Sequence, residues 1–300
     1  MDSFVAGAIA GISEVLTMYP LDVVKTRSQL YVGKSMGTIA TLSNIVKQEG
    51  FSRLYRGIIP PICMEAPKRA TKFAANDMWN QFYRKLFNIE KTTQSLSILT
   101  GASAGATESF VVVPFDLVKI RLQDKKNAHL YSGTIDCLKK IIKHEGVLAL
   151  YNGLEATMMR HITWNAGYFG VIFHVKAHLS IKSELLNNFI AGTIGGCAGT
   201  IINTPFDVVK SRIQNSPRTT SPAKYNWSIP SLFIVAKEEG FWALYKGFVP
   251  KVLRLGPGGG ILLVIYTALM EFFGKHKVTH TIVQAPSVET KSIVKVEEID

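Results

Sequence analysis

Basic side chains interrupt three otherwise apolar segments of this 300-residue chain. They are Lys68, Arg69 and Lys72 in the first segment, Arg160 in the second, and Lys251 and Arg254 in the third. Charges in the middle of a long apolar helix are costly, so by default they indicate a binding site or a transport path. Arginine binds a carboxylate through a two-pronged fork that lysine cannot reproduce. The pattern therefore predicts a site for an anion that carries carboxylate groups.

Polar and aromatic side chains follow the second of these positions in the stretch "RHITWNAGY". His161 and Asn165 could each donate a hydrogen bond to a ligand oxygen. Trp164 and Tyr168 repeat the position of Arg160 at a spacing of four, so all three would share one helix face. Simpler interpretations stay open, because His161 could be a packed and satisfied core histidine and the two aromatic rings could only pack a cavity wall.

Two of the basic residues have an alternative partner within the protein. Glu65 precedes Lys68 and Arg69 by three and four residues, so one of these cations is expected to balance its charge. Arg254 could likewise form an ion pair with a neighbouring helix instead of binding a ligand.

The composition limits the class of partner. A formal net charge of +12 and a mean hydropathy of +0.17 favour an anionic partner: nucleic acid, lipid headgroups or a small acidic solute. Cys63, Cys137 and Cys197 are widely spaced, which argues against a disulfide framework and a zinc site, so no metal is expected. The glycine-rich run at residues 256–260 lacks the Gly-Lys-Ser/Thr ending of a phosphate loop, so no cofactor is expected there.

One unit occurs three times along the chain. "PLDVVKTRSQ" begins at Pro20, "PFDLVKIRLQ" at Pro114 and "PFDVVKSRIQ" at Pro205, and each is followed by an echo: "EGFSRLYRG", "EGVLALYNG" or "EGFWALYKG". Two linked motifs that return in phase every ninety residues or so define tandem repeats. We place the repeats at residues 1–95, 96–186 and 187–276, and predict a disordered polar tail at 277–300.

Each repeat contains one apolar segment before the proline motif and one that begins at or just after the Glu-Gly motif. The six segments are residues 4–18, 59–82, 97–113, 155–178, 188–204 and 248–273. A helix of ~20 residues spans a bilayer core, so each is about long enough to cross it with its charges facing a shared interior. Lys and Arg outnumber Asp and Glu in the connections within each repeat, which predicts that both termini lie on the opposite side of the membrane. Glycines four residues apart predict close helix packing in the first segment of each repeat, at Gly7 and Gly11, Gly101 and Gly105, and Gly192 and Gly196.

The three Pro-x-Asp-x-x-Lys-x-Arg motifs, each followed by Glu-Gly-x-x-x-x-Tyr-x-Gly, resemble the signature of the mitochondrial carrier family over residues 4–274. The resemblance implies an all-α membrane protein with six transmembrane helices in three tandem pseudosymmetric repeats and short matrix helices between them. It also implies the mitochondrial inner membrane, termini in the intermembrane space and internal targeting. Because one chain contains all three repeats of the threefold unit, a functional monomer is expected. Bound cardiolipin is expected at the Tyr-x-Gly turns, where helix N-termini favour phosphate. Asn152 replaces the base that Arg56 and Lys246 supply, so the second lipid site should be weaker.

The resemblance gives the proline motif a role as a matrix-side gate. It implies helix kinks at Pro20, Pro114 and Pro205, ion pairs of Asp22 with Lys119, Asp116 with Lys210 and Asp207 with Lys25, and glutamine braces at Gln29, Gln123 and Gln214. Single exposed ion pairs contribute little, but three that are shielded from water could hold a gate until substrate binds. The alternative is that these charges only anchor helix ends at the membrane interface. On the cytoplasmic side one pair of the family network remains, Asp77 with Lys176, which implies a weak outer gate.

The resemblance also indicates the substrate. Arg160 and Arg254 stand at the contact positions of the family, and "PKRATKF", "RHITWNAGYFG" and "RLGPGGG" are most similar to carriers that exchange the 2-oxodicarboxylates 2-oxoadipate and 2-oxoglutarate. We expect the two arginines to bind carboxylates, a cation of the first apolar stretch to bind the other end, and His161 or Asn165 to donate to the oxo oxygen. The substrate-binding candidates are Lys68, Arg69, Lys72, Arg160, His161, Trp164, Asn165 and Arg254.

The expected function is thus antiport by alternating access, with no catalytic residues. A carrier for citrate, malate or another carboxylate stays open, because the same arginines would suit those anions. A basic nucleic-acid-binding protein is the alternative from another class, although the sequence contains no recognisable binding module. A membrane enzyme is disfavoured, because no nucleophile–base pair or cofactor loop is evident.

Overall fold

The computed structural model describes residues 2–33, 36–88, 93–178, 184–217 and 224–284, and within them the regular structure is helical. The α-helices are α1 (Asp2–Leu30), α2 (Thr38–Glu49), α3 (Ile59–Phe87), α4 (Gln94–Gln123), α5 (Thr134–Glu145), α6 (Leu154–His178), α7 (Glu184–Asn215), α8 (Ser228–Glu239) and α9 (Phe248–Gln284). Helices α2, α5 and α8 are short, so a long–short–long layout occurs three times. The predicted all-α class is confirmed for the described residues.

The six long helices form a closed ring. Helix α1 packs against α3, α3 against α4, α4 against α6, α6 against α7 and α7 against α9, which returns to α1. Helices α1, α4 and α7, the first long helix of each repeat, are called lead helices below. They also contact one another directly. This convergence brings equivalent residues of the three repeats together.

The lead helices are longer than the apolar segments suggested. The segments were predicted to end at residues 18, 113 and 204, but the helices continue to Leu30, Gln123 and Asn215 with the motif prolines inside them. An interior proline costs a helix about 3 kcal/mol. Buried apolar residues after each proline, such as Val23 and Val24 in α1, help offset that cost by packing on the short helix of the same repeat. The proposed kinks at the prolines stay a prediction.

A bidentate ion pair fixes each short helix to its lead helix. The pairs are Arg27 with Glu49, Arg121 with Glu145, and Arg212 with Glu239. The second base of the proline motif therefore binds the acid of the Glu-Gly motif, which explains why the two motifs recur together.

The Tyr-x-Gly turn connects each repeat to another one. Gly57, Gly153 and Gly247 have φ values of 79°, 79° and 81°, a conformation that favours glycine. Each lies against the lead helix of a different repeat, and a Cβ added to Gly153 would lie 2.8 Å from Cγ of Gln214. A side chain at these positions would therefore push two repeats apart.

The residue before this glycine makes hydrogen bonds to the same neighbouring repeat. Arg56 donates to the carbonyl oxygens of Ala128 and Tyr131 at 2.7 and 2.6 Å, and Lys246 donates to that of Tyr31 at 2.8 Å. In the second repeat Asn152 donates to Ile213 O at 2.9 Å and to Ser216 O at 3.2 Å. An asparagine thus makes the same kind of contact as the two bases.

The predicted glycine contacts need two corrections, the first being that a Cβ added to Gly7 of α1 would meet nothing within 4 Å. Gly101 and Gly105 of α4 lie against Asn165 and His161 of α6, and Gly11 lies against Glu65. In the third repeat, however, an added Cβ at Gly192 or Gly196 would meet nothing within 4 Å. Gly195 and Gly199 are the glycines that contact α6 there, next to Tyr168 and Trp164. The bulky rings of Tyr168 and Trp164 lie where the α7 backbone approaches α6, which moves the contact to the neighbouring glycine pair.

The last helix extends into the segment that was predicted to be a disordered tail. Helix α9 continues to Gln284, past residue 277, where a disordered tail was predicted to begin. A formed helix gains one hydrogen bond with each added residue, and the first proline after Pro257 is Pro286. The rest of the predicted tail lies outside the described residues.

Candidate functional site

A cavity of about 640 Å³ lies inside the ring and is lined by all six long helices. Its basic side chains are Lys25, Lys68, Lys72, Lys119, Arg160, Lys210, Lys251 and Arg254, and its acidic ones are Asp22, Glu65, Glu108, Asp116 and Asp207. The positive excess favours an anionic ligand. Seven of the eight substrate-binding candidates line the cavity, and Arg69 does not.

Three ion pairs join the lead helices where they converge. They are Lys119 with Asp22 at 3.0 Å, Lys25 with Asp207 at 2.6 Å, and Lys210 with Asp116. Each pair connects a different two of the three lead helices, so together they close a triangle. The six charges come from positions three residues apart in the motif, which is one helix turn.

The three glutamines of the motif are fully buried but bond differently. Gln29 donates to Asp207 at 3.3 Å and so contacts the Lys25 pair directly. Gln123 donates to the Tyr19 hydroxyl at 3.0 Å, and Lys119 lies 5.5 Å from the centre of the Tyr19 ring. The amide of Gln214 has no hydrogen-bond partner in the part of the chain that the structure describes. A direct brace is therefore present for one pair.

The cations of α6 and α9 lie close to two of the acids that pair with the lysines of the triangle. Arg254 Nη1 lies 2.5 Å from Asp22, and Lys251 Nζ lies 3.2 Å from Asp207. Arg160 Nε lies 3.9 Å from Asp207 and has no hydrogen-bond partner among the described residues. Arg254 therefore forms an ion pair with a neighbouring helix, which was the alternative that the sequence left open. Its side chain also lines the cavity.

On α3 the three cations separate into two kinds. Arg69 Nε pairs with Glu65 at 2.7 Å, and Arg69 does not line the cavity. Lys68 and Lys72 line the cavity, and within the described residues neither forms an ion pair. Arg69 therefore balances Glu65, and the two lysines are available to an anion.

The polar candidates on α6 are partly engaged within the protein. Asn165 donates both amide hydrogens, to the carbonyl oxygens of His161 at 2.9 Å and of Gly101 at 3.3 Å. His161 Nε2 lies 2.8 Å from Arg160 Nη2, where it can only accept. Asn165 is therefore a helix-packing residue in this structure. His161 uses Nε2 in the contact with Arg160, and its Nδ1 takes no part in it.

The aromatic candidate Trp164 stacks on Tyr168, with ring centroids 5.0 Å apart and an interplanar angle of 7°. Both rings pack on glycines of α7, as described above. This contact favours the alternative that Trp164 forms a cavity wall.

The outer pair is not defined by the structure. Asp77 is an exposed residue of α3, and the side chain of Lys176 lies outside the described residues. On this part of α3, Trp79 donates to Thr107 at 3.0 Å and Tyr83 bonds Ser103 at 2.7 Å. These bonds hold α3 to α4, and the Asp77–Lys176 gate stays a prediction.

The sequence reading missed several polar residues of the cavity. Thr200 and Asn203 on α7 and Glu108 on α4 line it and are nearly fully buried, and Glu14 of α1 lies 3.2 Å from Arg254. Thr200 and Asn203 precede Asp207 by seven and four residues, so helical periodicity from the motif acid could have found them. Glu14 and Glu108 are acids inside apolar segments, the signal that was applied only to the basic residues.

Comparison with known proteins agrees with this architecture. The family model described as mitochondrial carrier protein matches residues 1–87, 90–183 and 181–277. The chain therefore belongs to the mitochondrial carrier family.

Three relatives show which members of the family this chain is similar to. The mitochondrial citrate transporter D of Aspergillus niger is 64% identical over 284 residues, which cover 90% of this chain and 93% of the relative. The mitochondrial 2-oxodicarboxylate carrier 2 of Saccharomyces cerevisiae is 55% identical over 294 residues, covering 92% and 95%. The human mitochondrial 2-oxodicarboxylate carrier is 38% identical over 275 residues, covering 87% and 91%.

Proposed function

We propose that this chain is an antiporter of the mitochondrial inner membrane that exchanges 2-oxodicarboxylates, such as 2-oxoadipate and 2-oxoglutarate, by alternating access. The observation that carries the proposal is that Lys68 and Lys72, which form no ion pair among the described residues, line the same cavity as Arg160 and Arg254. Cations from three different helices of one cavity suit an anion with a carboxylate at each end. The names of the yeast and human relatives support the same substrate class.

The membrane arrangement is part of this proposal. Within the described residues two helices, α1 over Val5–Leu30 and α4 over Gln94–Gln123, are long and apolar enough to cross a bilayer by length and composition alone. Helices α3, α6 and α9 carry cavity-facing charges, and α7 carries Asp207 and Lys210, which lowers their mean hydropathy. We infer six spans, with both termini in the intermembrane space and the short helices on the matrix side.

The triangle of ion pairs is proposed as the matrix gate. Because each pair joins two lead helices, opening this end requires all three to separate. In alternating access the ion pairs break when substrate binds, because contacts with the substrate compensate the separated charges of the lysines and aspartates. The Asp77–Lys176 pair is proposed as the weaker gate on the other side.

Lipid and assembly complete the proposal. We expect cardiolipin at the turns that precede α3, α6 and α9, where the helix N-termini favour phosphate. No other cofactor is proposed. The ring is closed within one chain, so a monomer has a complete cavity and is the proposed functional unit.

Citrate is the second candidate substrate, because the Aspergillus relative is named a citrate transporter. A tricarboxylate could use the same cations, with its third carboxylate near Lys251.

Exchange in liposomes tests the proposal. Purified protein is reconstituted into liposomes that contain 2-oxoglutarate, and uptake of labelled 2-oxoadipate is measured with unlabelled 2-oxoglutarate, citrate or malate as competitors. We expect uptake that depends on internal substrate and is inhibited most strongly by 2-oxo acids. Uptake no greater than in protein-free liposomes refutes the function, and stronger inhibition by citrate than by 2-oxoglutarate favours the second candidate.

A further inference from the structure

A row of polar side chains on α7 faces the cavity. Thr200, Asn203 and Asp207 are spaced by three and four residues, so they follow one another along one helix face, and all three line the cavity. Asp207 belongs to the triangle of ion pairs. Thr200 and Asn203 take no part in that triangle. Both are nevertheless buried, at 0% and 1% exposure.

Both residues hold buried donors without partners. Oγ1 of Thr200 and Nδ2 of Asn203 have no hydrogen-bond partner in the ranges that the structure describes. Almost all buried polar groups in proteins are hydrogen-bonded, so two unpaired donors on one face of a cavity point to a ligand. In contrast, Thr204 on the same helix donates to the carbonyl oxygen of Thr200 at 2.5 Å.

A lysine contact fixes the orientation of the Asn203 amide. Lys251 Nζ donates to Oδ1 of Asn203. An ammonium group can only donate, so the oxygen of the amide must face Lys251 and the NH₂ group is left as the free donor. The site therefore presents an N–H donor and not a second acceptor.

A third unpaired donor lies opposite on α6. Nε of Arg160 is buried and has no hydrogen-bond partner among the described residues, and it lies 3.9 Å from Asp207, one turn beyond Asn203. Lys25 and Lys251 also contact Asp207, so cations outnumber the acid here and a further anionic group is tolerated. The cluster thus combines a guanidinium with two uncharged donors.

This combination matches a 2-oxo acid, in which a neutral carbonyl stands next to a carboxylate. We propose that Thr200 and Asn203 bind the 2-oxo oxygen of the substrate while Arg160 binds the adjacent carboxylate. The proposal rests on the proposed function and assigns the recognition of the oxo group to a lead helix. The distal carboxylate then extends toward Lys68 and Lys72 on α3.

The test compares two ligands that differ only in the oxo group, 2-oxoadipate and adipate. Binding to the full-length protein in detergent is measured from the ligand-dependent rise in melting temperature, titrated to give each Kd. The variants are Thr200→Val, which removes the hydroxyl at constant shape, and Asn203→Ala. Thr204→Val is the matched control, because it changes the same residue type on the same helix outside the cavity lining.

We expect the wild type to bind 2-oxoadipate more tightly than adipate. Each variant should reduce that preference by about fivefold or more, the scale of one lost hydrogen bond, and Thr204→Val should leave it unchanged. If Asn203→Ala does not fold, Thr200→Val alone decides. Three outcomes overturn the inference: a variant that weakens the binding of both ligands equally, a variant that keeps the wild-type preference for 2-oxoadipate, or a wild type that shows no such preference. None of the three contradicts dicarboxylate exchange. Binding of neither ligand by the wild type refutes the proposed function itself.

Discussion

Arg254 Nη1 lies 2.5 Å from Oδ1 of Asp22, and Oδ2 of the same carboxylate accepts a hydrogen bond from Lys119 at 3.0 Å. One carboxylate thus holds a proposed substrate-binding arginine and a proposed gate lysine at the same time. A substrate that draws Arg254 toward itself would change the charge around the proposed gate pair. We therefore propose that ligand binding and gate opening are connected through this shared acid.

Of the other two pairs, one shares its acid with a cation of α9 in the same way and one does not. Asp207 is shared between Lys25 at 2.6 Å and Lys251 at 3.2 Å. Asp116 pairs with Lys210, and no cation of α9 contacts it among the described residues. The proposed connection between ligand and gate is therefore asymmetric, with two of the three pairs involved.

Replacing Arg254 tests the shared acid. Arg254→Ala should reduce kcat/KM for exchange by about tenfold or more, since a hydrogen bond between charged groups contributes roughly 1.5–3 kcal/mol and the Arg254 side chain is 32% exposed. Arg254→Lys keeps the charge near Asp22 but loses the fork, so it should recover part of the activity. Initial rates of uptake in liposomes give the comparison, and full activity of Arg254→Ala would remove Arg254 from the site.

Arg160 allows an independent test on another helix. Arg160→Ala should abolish uptake, because it removes the guanidinium that lies near Asp207 and the polar row of α7. The melting temperature of the variant serves as the control for folding. A folded variant with normal uptake would contradict the role of Arg160.

The three cations of α3 should respond differently to truncation. Lys68→Ala and Lys72→Ala should each raise KM for the dicarboxylate several-fold, because these lysines line the cavity without an ion pair within the described residues. Arg69→Ala should leave KM nearly unchanged and lower stability instead, since Arg69 pairs with Glu65. The dependence of uptake on substrate concentration distinguishes the two effects. The reverse order, with Arg69 controlling KM, would contradict the assignment.

Exchanging the charges of one pair tests the gate. Asp116 and Lys210 are suitable because their pair is separate from the cations of α9. Lys210→Asp should abolish exchange, because removing one partner of a buried pair costs about 3–5 kcal/mol. Adding Asp116→Lys restores opposite charges at both positions, so the double variant should recover part of the uptake. No recovery, with both variants folded, would mean that the pair is more than an electrostatic latch.

The sequence predicted the repeat and the helical class, because both depend on residues that recur at fixed spacing. The partners in the triangle were implied by the resemblance to the mitochondrial carrier family, because spacing alone does not specify which helices meet. The sequence could not predict that Arg69 and not Lys68 balances Glu65, since both spacings are compatible with one helix face. It assigned a donor role to Asn165, whose amide hydrogens are in fact used by α4 and α6. Contacts between helices depend on their rotation and register, which a single sequence does not specify.

The length of the lead helices shows the same limit. The prolines predicted the end of an apolar segment, yet the helix continues because residues after the proline bury apolar side chains on the short helices. Local propensity was outweighed by tertiary packing that becomes visible only when the short helices are in place.

Gly153→Ala tests the contact between the second and third repeats. The residue has φ of 79°, and its new Cβ would lie 2.8 Å from Gln214 Cγ, so we expect a loss of about 1–3 kcal/mol in stability. Gly133→Ala is the matched control, because Gly133 has an extended backbone and an added Cβ would meet nothing within 4 Å. Thermal unfolding in detergent gives both values, and equal stability of the two variants would contradict the proposed strain.

Glu239 at the end of α8 predicts a pH dependence of stability. Burial alone raises the pKa of its carboxyl group, but hydrogen bonds from Arg212 and Lys246 outweigh burial and lower the pKa from 4.5 to about 2. A carboxyl group with a lowered pKa stabilises the folded state above its unfolded pKa. That contribution is fully present above about pH 5 and is lost as the pH falls through 2.

Glu239→Gln removes this contribution, so the variant should melt at a lower temperature than the wild type at pH 7. The difference should shrink as the pH falls from about 5 toward 2, because the wild-type carboxylate then becomes protonated. Glu238→Gln is the control. The carboxylate of Glu238 pairs with Lys224 at 2.6 Å on the surface, where an ion pair contributes little to stability. A difference between Glu239→Gln and the wild type that does not change with pH would show that Glu239 stabilises the protein by packing and not by its charge.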